Sequence, residues 1–363
     1  MQTTAVQRDD DDEQQQRYAS FAAAIEAIKQ DIEARIGEED LQHVKRLRRF
    51  SRTMEIVGRG CIHFSIEPML FGVGVLALFV HKQIEAIEIG HTAIHGTYDR
   101  FGEDTGFHSS RFWWQVPIDE ESWQLGHNVK HHGHTNIAAK DPDLRFGWIR
   151  LSPDEPFSPV HRFQLPMLLG YAVPIFTFQM GAKYSGVHDF VFGSNERVPD
   201  RSLDSLRGAL WRAMRKYVPY YAKELVLFPA LAGPMFLKVL FGNLLSEVMR
   251  DCYTAATILV NHIGEQNRYF PEGDRAGNKG AWYWRQVEAT SNFEVSRPLQ
   301  ILCGGLERQI EHHLFPKFPP ERTREAAPRV KAACEAHGLR YNTGRWGTAL
   351  RKMLAQVHAL SRP

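Results

Sequence analysis

Histidine is the side chain that most often offers a metal a neutral nitrogen, and the 17 histidines of this chain are distributed unevenly. His91 and His95 in HTAIH stand four residues apart, so on a helix both imidazoles project from one face. His127, His131 and His132 lie in HNVKHHGHTN, with His134 close behind. His262 follows Asn261, and QIEHHLFP carries His312 and His313 just after Gln309. Any one such group is a common accident, since a histidine costs little on a surface. Four groups in one chain are harder to dismiss. Neutral imidazoles suit borderline metals such as iron, copper or zinc, whereas magnesium and calcium prefer oxygen. Eight of them are too many for one zinc, which takes four ligands. They fit two metals, each with three or more nitrogens and open positions for oxygen or water.

Other chemistries find no support. There is no HExxH, so a zinc protease lacks its general base, and no GxGxxG or Walker sequence marks a nucleotide or flavin site. Cys61, Cys252, Cys303 and Cys334 stand far apart without a CxxC, which disfavours a zinc knuckle, an iron–sulfur cluster or a disulfide scaffold and makes a cytoplasm-facing location the expectation. The net charge of +2 gives no pointer to nucleic acid.

The elements that must position the histidines read as helices with membrane character, an all-α fold. The acidic MQTTAVQRDDDDEQQQ lacks the apolar core of a signal peptide, and residues 1–17 are expected to be a disordered tail. Residues 18–52 have helical spacing and end in the basic KRLRRFSR, which serves as a solvated face or meets lipid headgroups or CoA phosphates. Residues 54–90 predict a hairpin turning near Glu67-Pro68; residues 218–262 predict a second, with turn signals at Gly233-Pro234 and Gly242-Asn243. The basic LRGALWRAMRKY before the second hairpin places its entry in the cytosol. QLPMLLGYAVPIFTFQMGA, residues 164–182, is long enough to span but would put that basic segment on the wrong side, so it is expected to be interfacial or packed against the cytosolic part. Two hairpins, about four transmembrane helices, with both ends inside deliver every histidine group to one membrane face. The cytosolic parts, 91–217 and 263–330, then form a helical cap, with 53–330 one membrane domain and 331–363 a C-terminal helix or tail. A mean hydropathy of −0.36 fits a few hairpins under a large aqueous part.

With these residues in hand, the chain resembles the membrane fatty acid desaturases, whose three histidine boxes have the forms H-x(3,4)-H, H-x(2,3)-H-H and (H/Q)-x2-H-H. His91/His95, His127/His131/His132 and Gln309/His312/His313 match them in order, and His262 matches the further histidine at the end of the family's last membrane helix. GHTNIAAKDPD, RQVEATSNF and GGLERQIEHHLFP are supporting matches, and the resemblance covers about residues 50 to 325. It implies a di-iron centre on the eight histidines His91, His95, His127, His131, His132, His262, His312 and His313, with O2 as co-substrate, a fatty acyl substrate and desaturation as the reaction. It also implies Gln309, Asn261 and Glu311 in supporting positions, with Glu88, Asp141, Asp143 and Glu288 further candidates to orient the imidazoles. No His-Pro-Gly-Gly haem motif is present, so electrons are expected from a separate ferredoxin or reductase, as in bacterial-type enzymes of the inner membrane. Trp113, Trp114, Trp123, Trp282 and Trp284 flank the boxes and are candidates to line an acyl tunnel, while His108 and His188 read as ordinary polar residues.

One spacing departs from the ideal. On a regular helix His131 and His134 stay near His127, while His132 points about 140° away. Either the helix is distorted at Gly133 or His134 takes the place of His132, and the family match favours His132. Two rivals remain: a fatty acyl hydroxylase on the same metal framework, and a membrane metal-binding or transport protein. The latter calls for ligands midway along apolar helices, whereas here they follow the apolar runs.

Overall fold

The computed structural model describes residues 2–192 and 202–363. Helices α1 (Gln2–Glu33) and α2 (Glu38–Phe64) precede α3 (Pro68–Gln83), which continues through a π-helical segment, Ile84–His91, and a last turn, Thr92–Ile94. A loop-rich passage then holds a second π-helical segment, Gln124–His131, and a short antiparallel ladder of β1 (Arg145–Phe146) with β2 (Ile149–Arg150). Helices α4 (Phe176–Ser185), α5 (Leu203–Tyr221) and α6 (Phe236–His262) follow, and α7 (Lys279–Ala289), α8 (Gln309–Leu314), α9 (Pro320–Ala336) and α10 (Trp346–Ala359) complete the chain.

The first expected hairpin turns where its sequence signals. Pro68 begins α3 and the Glu67 carboxylate caps it, accepting from the amides of Met69 and Leu70. Glycines let its legs touch: a Cβ on Gly58 would lie 2.7 Å from the Leu78 nitrogen, and one on Gly74 2.8 Å from Cys61 Cβ. The second hairpin turns at Gly233–Met235, between Phe228–Leu231 and α6. Gly242-Asn243, the other expected turn, lies inside α6. There Gly242 faces Ile62 and Phe71, and the Asn243 amide donates to the Glu224 carbonyl at 2.6 Å.

Four spans were expected; among the described residues one helix, Pro68–Ile94, is long and apolar enough to cross a membrane. A second qualifies only if Pro159–Ala172 and Phe176–Ser185 count as one span, and they bend by 104° at a break that contains Pro174. The other hairpin legs carry more charges, several of them buried and paired with one another or with Lys82 of the passing helix. Lys82 Nζ lies 2.7 Å from Glu224 and 2.5 Å from Glu247, Arg59 lies 2.8 Å from Glu224, and Arg250 pairs with Glu247 and Asp251.

The largest apolar core surrounds the histidines, drawing on α3, the Phe107–Trp123 passage, α4 and the end of α6. A second core places α1 across α7, α8 and α9 through Phe21, Ile25, Ile28 and Ile32. Residues 1–17, the expected tail, instead lie largely in α1, which begins at Gln2. Helices also run through the expected boundaries at 17/18, 52/53 and 330/331, in α1, α2 and α9. In the basic run, Arg46 and Arg49 face solvent, but Arg48 lies over the rings of Phe107 and Phe112.

Candidate metal centre

The first two histidine groups sit at the ends of two of the four π-helical segments among the described residues, Ile84–His91 and Gln124–His131. In a π-helix the amide bonds the carbonyl five residues back rather than four, and the His132 amide donates to the His127 carbonyl. His127 and His132 therefore share a face, with ring centroids 4.9 Å apart. The distortion that the spacing demands is present, but upstream of Gly133. His134 turns away, its Nδ1 3.1 Å from the Lys130 carbonyl. Each of these two segments contains a glycine against an aromatic ring: a Cβ on Gly90 would lie 2.0 Å from Trp114 Nε1, and one on Gly126 2.3 Å from the Tyr184 ring.

All eight histidines converge and all are buried. His91, His95, His127 and His312 can present one ligand atom each within 4.8 Å of one another, as can His131, His262 and His313. His132 lies between the groups, its ring stacked on His313 at 4.3 Å and 4.9 Å from His312. The nitrogens fit a metal. Nε2 of His91 and of His95 are 3.2 Å apart, close to the ~3.4 Å between two nitrogens each ~2.1 Å from one tetrahedral ion. The other histidines of the set, with His91 itself, each have a buried ring nitrogen without a hydrogen-bond partner in the protein: Nδ1 of His91 and His262, both nitrogens of His132, and Nε2 of His127, His131, His312 and His313. Orphaned buried polar atoms are costly. Cations inside both groups would satisfy one nitrogen of each ring.

A second layer fixes several rings. The Asp141 carboxylate lies 2.8 Å from His131 Nδ1, and so makes that nitrogen the proton donor and turns Nε2 inward. Asp143 lies 3.6 Å from Nδ1 of both His127 and His131, and is itself held by Lys183 and the Tyr184 hydroxyl. The His313 Nδ1 donates to Gln286 Oε1 at 2.9 Å, and Thr135 donates to the same oxygen at 3.0 Å. Gln309 Nε2 is 2.9 Å from His262 Nε2, and Asn261 reaches Gln309 at 3.3 Å while donating to the Leu306 carbonyl.

Asp141, Asp143 and Gln309 thus lie beside histidine ring nitrogens, and Asn261 reaches them through Gln309. Three other candidates do not touch a histidine. Glu311 accepts from Tyr341 and Asn292, and so braces α8 from behind. Glu88 faces Arg324, and Glu288 pairs with Arg268 at the surface. Gln286 and Thr135 were not singled out, although RQVEATSNF and GHTN contain them. Asn136, part of the GHTN match, has a structural role of its own. It adopts φ 55°, which asparagine tolerates, and its amide donates to the carbonyls of His262, Arg268 and Ala289. His108 bonds Ser110 and His188 packs on Phe192, both outside the centre.

Electrostatics keep the centre receptive. Burial, aided by neighbouring imidazoles, holds His95, His132, His312 and His313 well below the usual histidine range, and burial brings His127 down to about 4. These rings are neutral, with lone pairs available. For His131 burial acts downward too, but Asp141 and Asp143 outweigh it and the net shift is up. The negative charge that favours a proton there favours a metal cation equally.

A narrow apolar cavity opens on His91, His127 and His262. Trp114 and Trp123 line it with Ile118, Met180 and Ile258, and Trp123 stacks on His127 at 4.2 Å. The other tryptophans lie elsewhere. Trp113 is 56% exposed beneath Lys216, Trp284 packs on Tyr18 and Phe21, and Trp282 lines a surface pocket.

Residues 67–345 match the sequence profile of the fatty acid desaturases. The chain belongs to the fatty acid desaturase family. The NADPH-dependent stearoyl-CoA 9-desaturase of Mycobacterium tuberculosis is 30% identical over 349 residues, covering 95% of this chain and 80% of that protein. The sn-1 linoleoyl-lipid 6-desaturase of Synechocystis sp. is 24% identical over 290 residues, 76% of each chain. The acyl-lipid (7-3)-desaturase of Rebecca salina is 32% identical over 225 residues, 60% of this chain and 48% of that protein. This desaturase is accordingly an oxidoreductase of fatty acyl chains.

Proposed function

We propose that this desaturase places a double bond in an acyl chain carried by CoA or a glycerolipid, using two irons held by His91, His95, His127, His131, His132, His262, His312 and His313. The observation that carries the reading is the set of buried ring nitrogens without protein partners, next to an apolar cavity. The irons, when bound, supply the O2 activation needed to take hydrogens from unactivated methylenes. The protein's own part is to bind and to exclude water. Trp114, Trp123, Ile118 and Met180 offer an acyl chain an apolar wall beside His91 and His127. Asp141 and Gln286 keep Nδ1 of His131 and His313 protonated and so aim Nε2 inward. Gln309 and Asn261 brace His262.

On this reading both hairpins enter the membrane from the cytosolic face, with the histidines at that face. Support comes from their tips, where Phe64, Ile66 and Met69 of the first and Leu231 and Leu237 of the second are largely exposed. Electrons come from a separate carrier, in keeping with the NADPH-dependence named for the mycobacterial relative. The test is gas chromatography with mass spectrometry of total fatty acids from a host expressing the chain, beside a His312→Ala/His313→Ala control. A new unsaturated acid absent from the control is expected. Hydroxy acids instead would move the assignment to the hydroxylase.

A further inference from the structure

Resting on that reading, the reaction –CH2–CH2– + O2 + 2 e⁻ + 2 H⁺ → –CH=CH– + 2 H2O needs two electrons that the chain's own side chains do not supply. A pocket of about 410 Å³ opens to solvent on the outer side of the second histidine group, lined by Gly133, His134, Lys140, Arg275, Trp282 and Arg285 among others. We propose that this pocket is where an acidic one-electron carrier protein docks, and that electrons cross from it to the centre past Trp282 and Gln286.

Two independent features meet there. The first is charge. Asp274 is the one acid among the lining residues, and Arg285 already pairs with it at 2.5 Å. Lys140 and Arg275, by contrast, have no ion-pair partner among the described residues; Arg275 is exposed and Lys140 half-buried. Like-signed charge at a pocket mouth steers an oppositely charged protein and raises its association rate.

The second feature is thinness. Gly133 and His134 directly follow His132, so the pocket floor is the backbone of the centre itself. On α7, Trp282 and Gln286 stand four residues apart on one face, about 6 Å of rise. Gln286 Oε1 accepts from His313, and its Nε2 donates to the His132 carbonyl at 3.3 Å. From the aromatic rim to the His313 imidazole there is one helical turn and one hydrogen bond.

The test uses the full-length, iron-loaded protein in lipid nanodiscs. The probe donor is plant-type [2Fe–2S] ferredoxin, kept reduced by NADPH and its reductase; dithionite with methyl viologen is the small-molecule donor. Lys140→Glu/Arg275→Glu is expected to raise the KM for ferredoxin roughly tenfold or more and to flatten its dependence on salt. Desaturation driven by methyl viologen should be unchanged. Arg275→Gln, a milder change, should give an intermediate KM with wild-type stability. An unchanged ferredoxin KM in both variants overturns the proposal. So does weaker binding to anionic vesicles with the ferredoxin KM unmoved, which would make the patch a headgroup site. If wild-type protein makes no alkene even with methyl viologen, the desaturase reading itself falls.

Discussion

Asp141→Asn tests whether the carboxylate behind His131 sets the metal affinity. Asp141 accepts from three donors: His131 Nδ1 at 2.8 Å, the Asn136 amide at 2.7 Å and the Asp143 amide at 2.8 Å. Asparagine is nearly isosteric but has one acceptor oxygen and no charge. Its NH2 group must face at least one of those donors, at a cost of about 1–3 kcal/mol for a buried unsatisfied group. The imidazole also loses the charge that fixes its tautomer, and changes of this kind cost about tenfold to a hundredfold in metal affinity, about 1.4 to 2.8 kcal/mol. Purified protein dialysed against graded chelator, with iron measured by plasma mass spectrometry, reads the affinity directly, and circular dichroism reports the fold. The midpoint should shift tenfold or more toward weaker binding while helical content holds. Glu288→Gln, which alters only a surface pair with Arg268, should leave the midpoint in place. Identical midpoints for Asp141→Asn and wild type would refute the reasoning, because the hydrogen bond would then be orienting nothing that binds metal.

Further expectations concern the neighbours of the centre. His132→Ala should lower bound iron and abolish product, whereas His134→Ala should keep both, since His134 faces the Lys130 carbonyl; iron content and fatty acid profile of the two variants decide it. Gly58→Val should destabilise the first hairpin by about 1–3 kcal/mol or more, because its Cβ would lie 2.7 Å from the Leu78 nitrogen and 2.9 Å from the Gly74 carbonyl; the thermal midpoint in detergent measures this. Burial raises Glu155 to about 6, with Arg150 opposing. The folded state thus holds that proton more tightly than the unfolded chain, so the stabilising contribution is present below about 4.5 and lost as pH rises through about 6. Glu155→Gln should therefore raise the thermal midpoint at pH 8 relative to wild type and change it little at pH 4.5, and equal gains at both would contradict the assignment.

How legible this architecture was in the sequence depended on whether a feature is written locally. Glu67-Pro68 caps and starts a helix by itself, so the first turn could be placed; His91, His95, His312 and His313 declare themselves by type and spacing. Gly242-Asn243 carries the same turn composition as Gly233-Pro234, but one glycine packs against Ile62 and Phe71 while the other ends a helix, a difference that only neighbours distant in sequence decide. The charges of Lys82, Glu224, Glu247 and Arg250 reduce apolarity when counted along the chain, yet in space they neutralise one another. Trp282 and Trp284 flank RQVEATSNF as Trp114 and Trp123 flank the second box, and nothing local separates the pair that lines the cavity from the pair that does not.

The second box shows the point most sharply. Its spacing looks defective on an ordinary helix, and the remedy lies in residues far from it. At Gly90 and Gly126 the absent Cβ leaves room for the Trp114 indole and the Tyr184 ring to press on the backbone. The indole Nε1 donates to the Ala86 carbonyl at 2.9 Å, giving a partner to a carbonyl within the first π segment. Tyr184 is anchored by the same Asp143 that faces His127 and His131. A side chain set against the ladder widens the turn, and a turn that bonds each amide to the carbonyl five residues back brings His127 and His132 to one face. The histidine spacing and Gly126 are thus parts of one device: H-x3-H-H converges because its helix is not an α-helix, and the missing Cβ of Gly126 gives the Tyr184 ring its place against that turn.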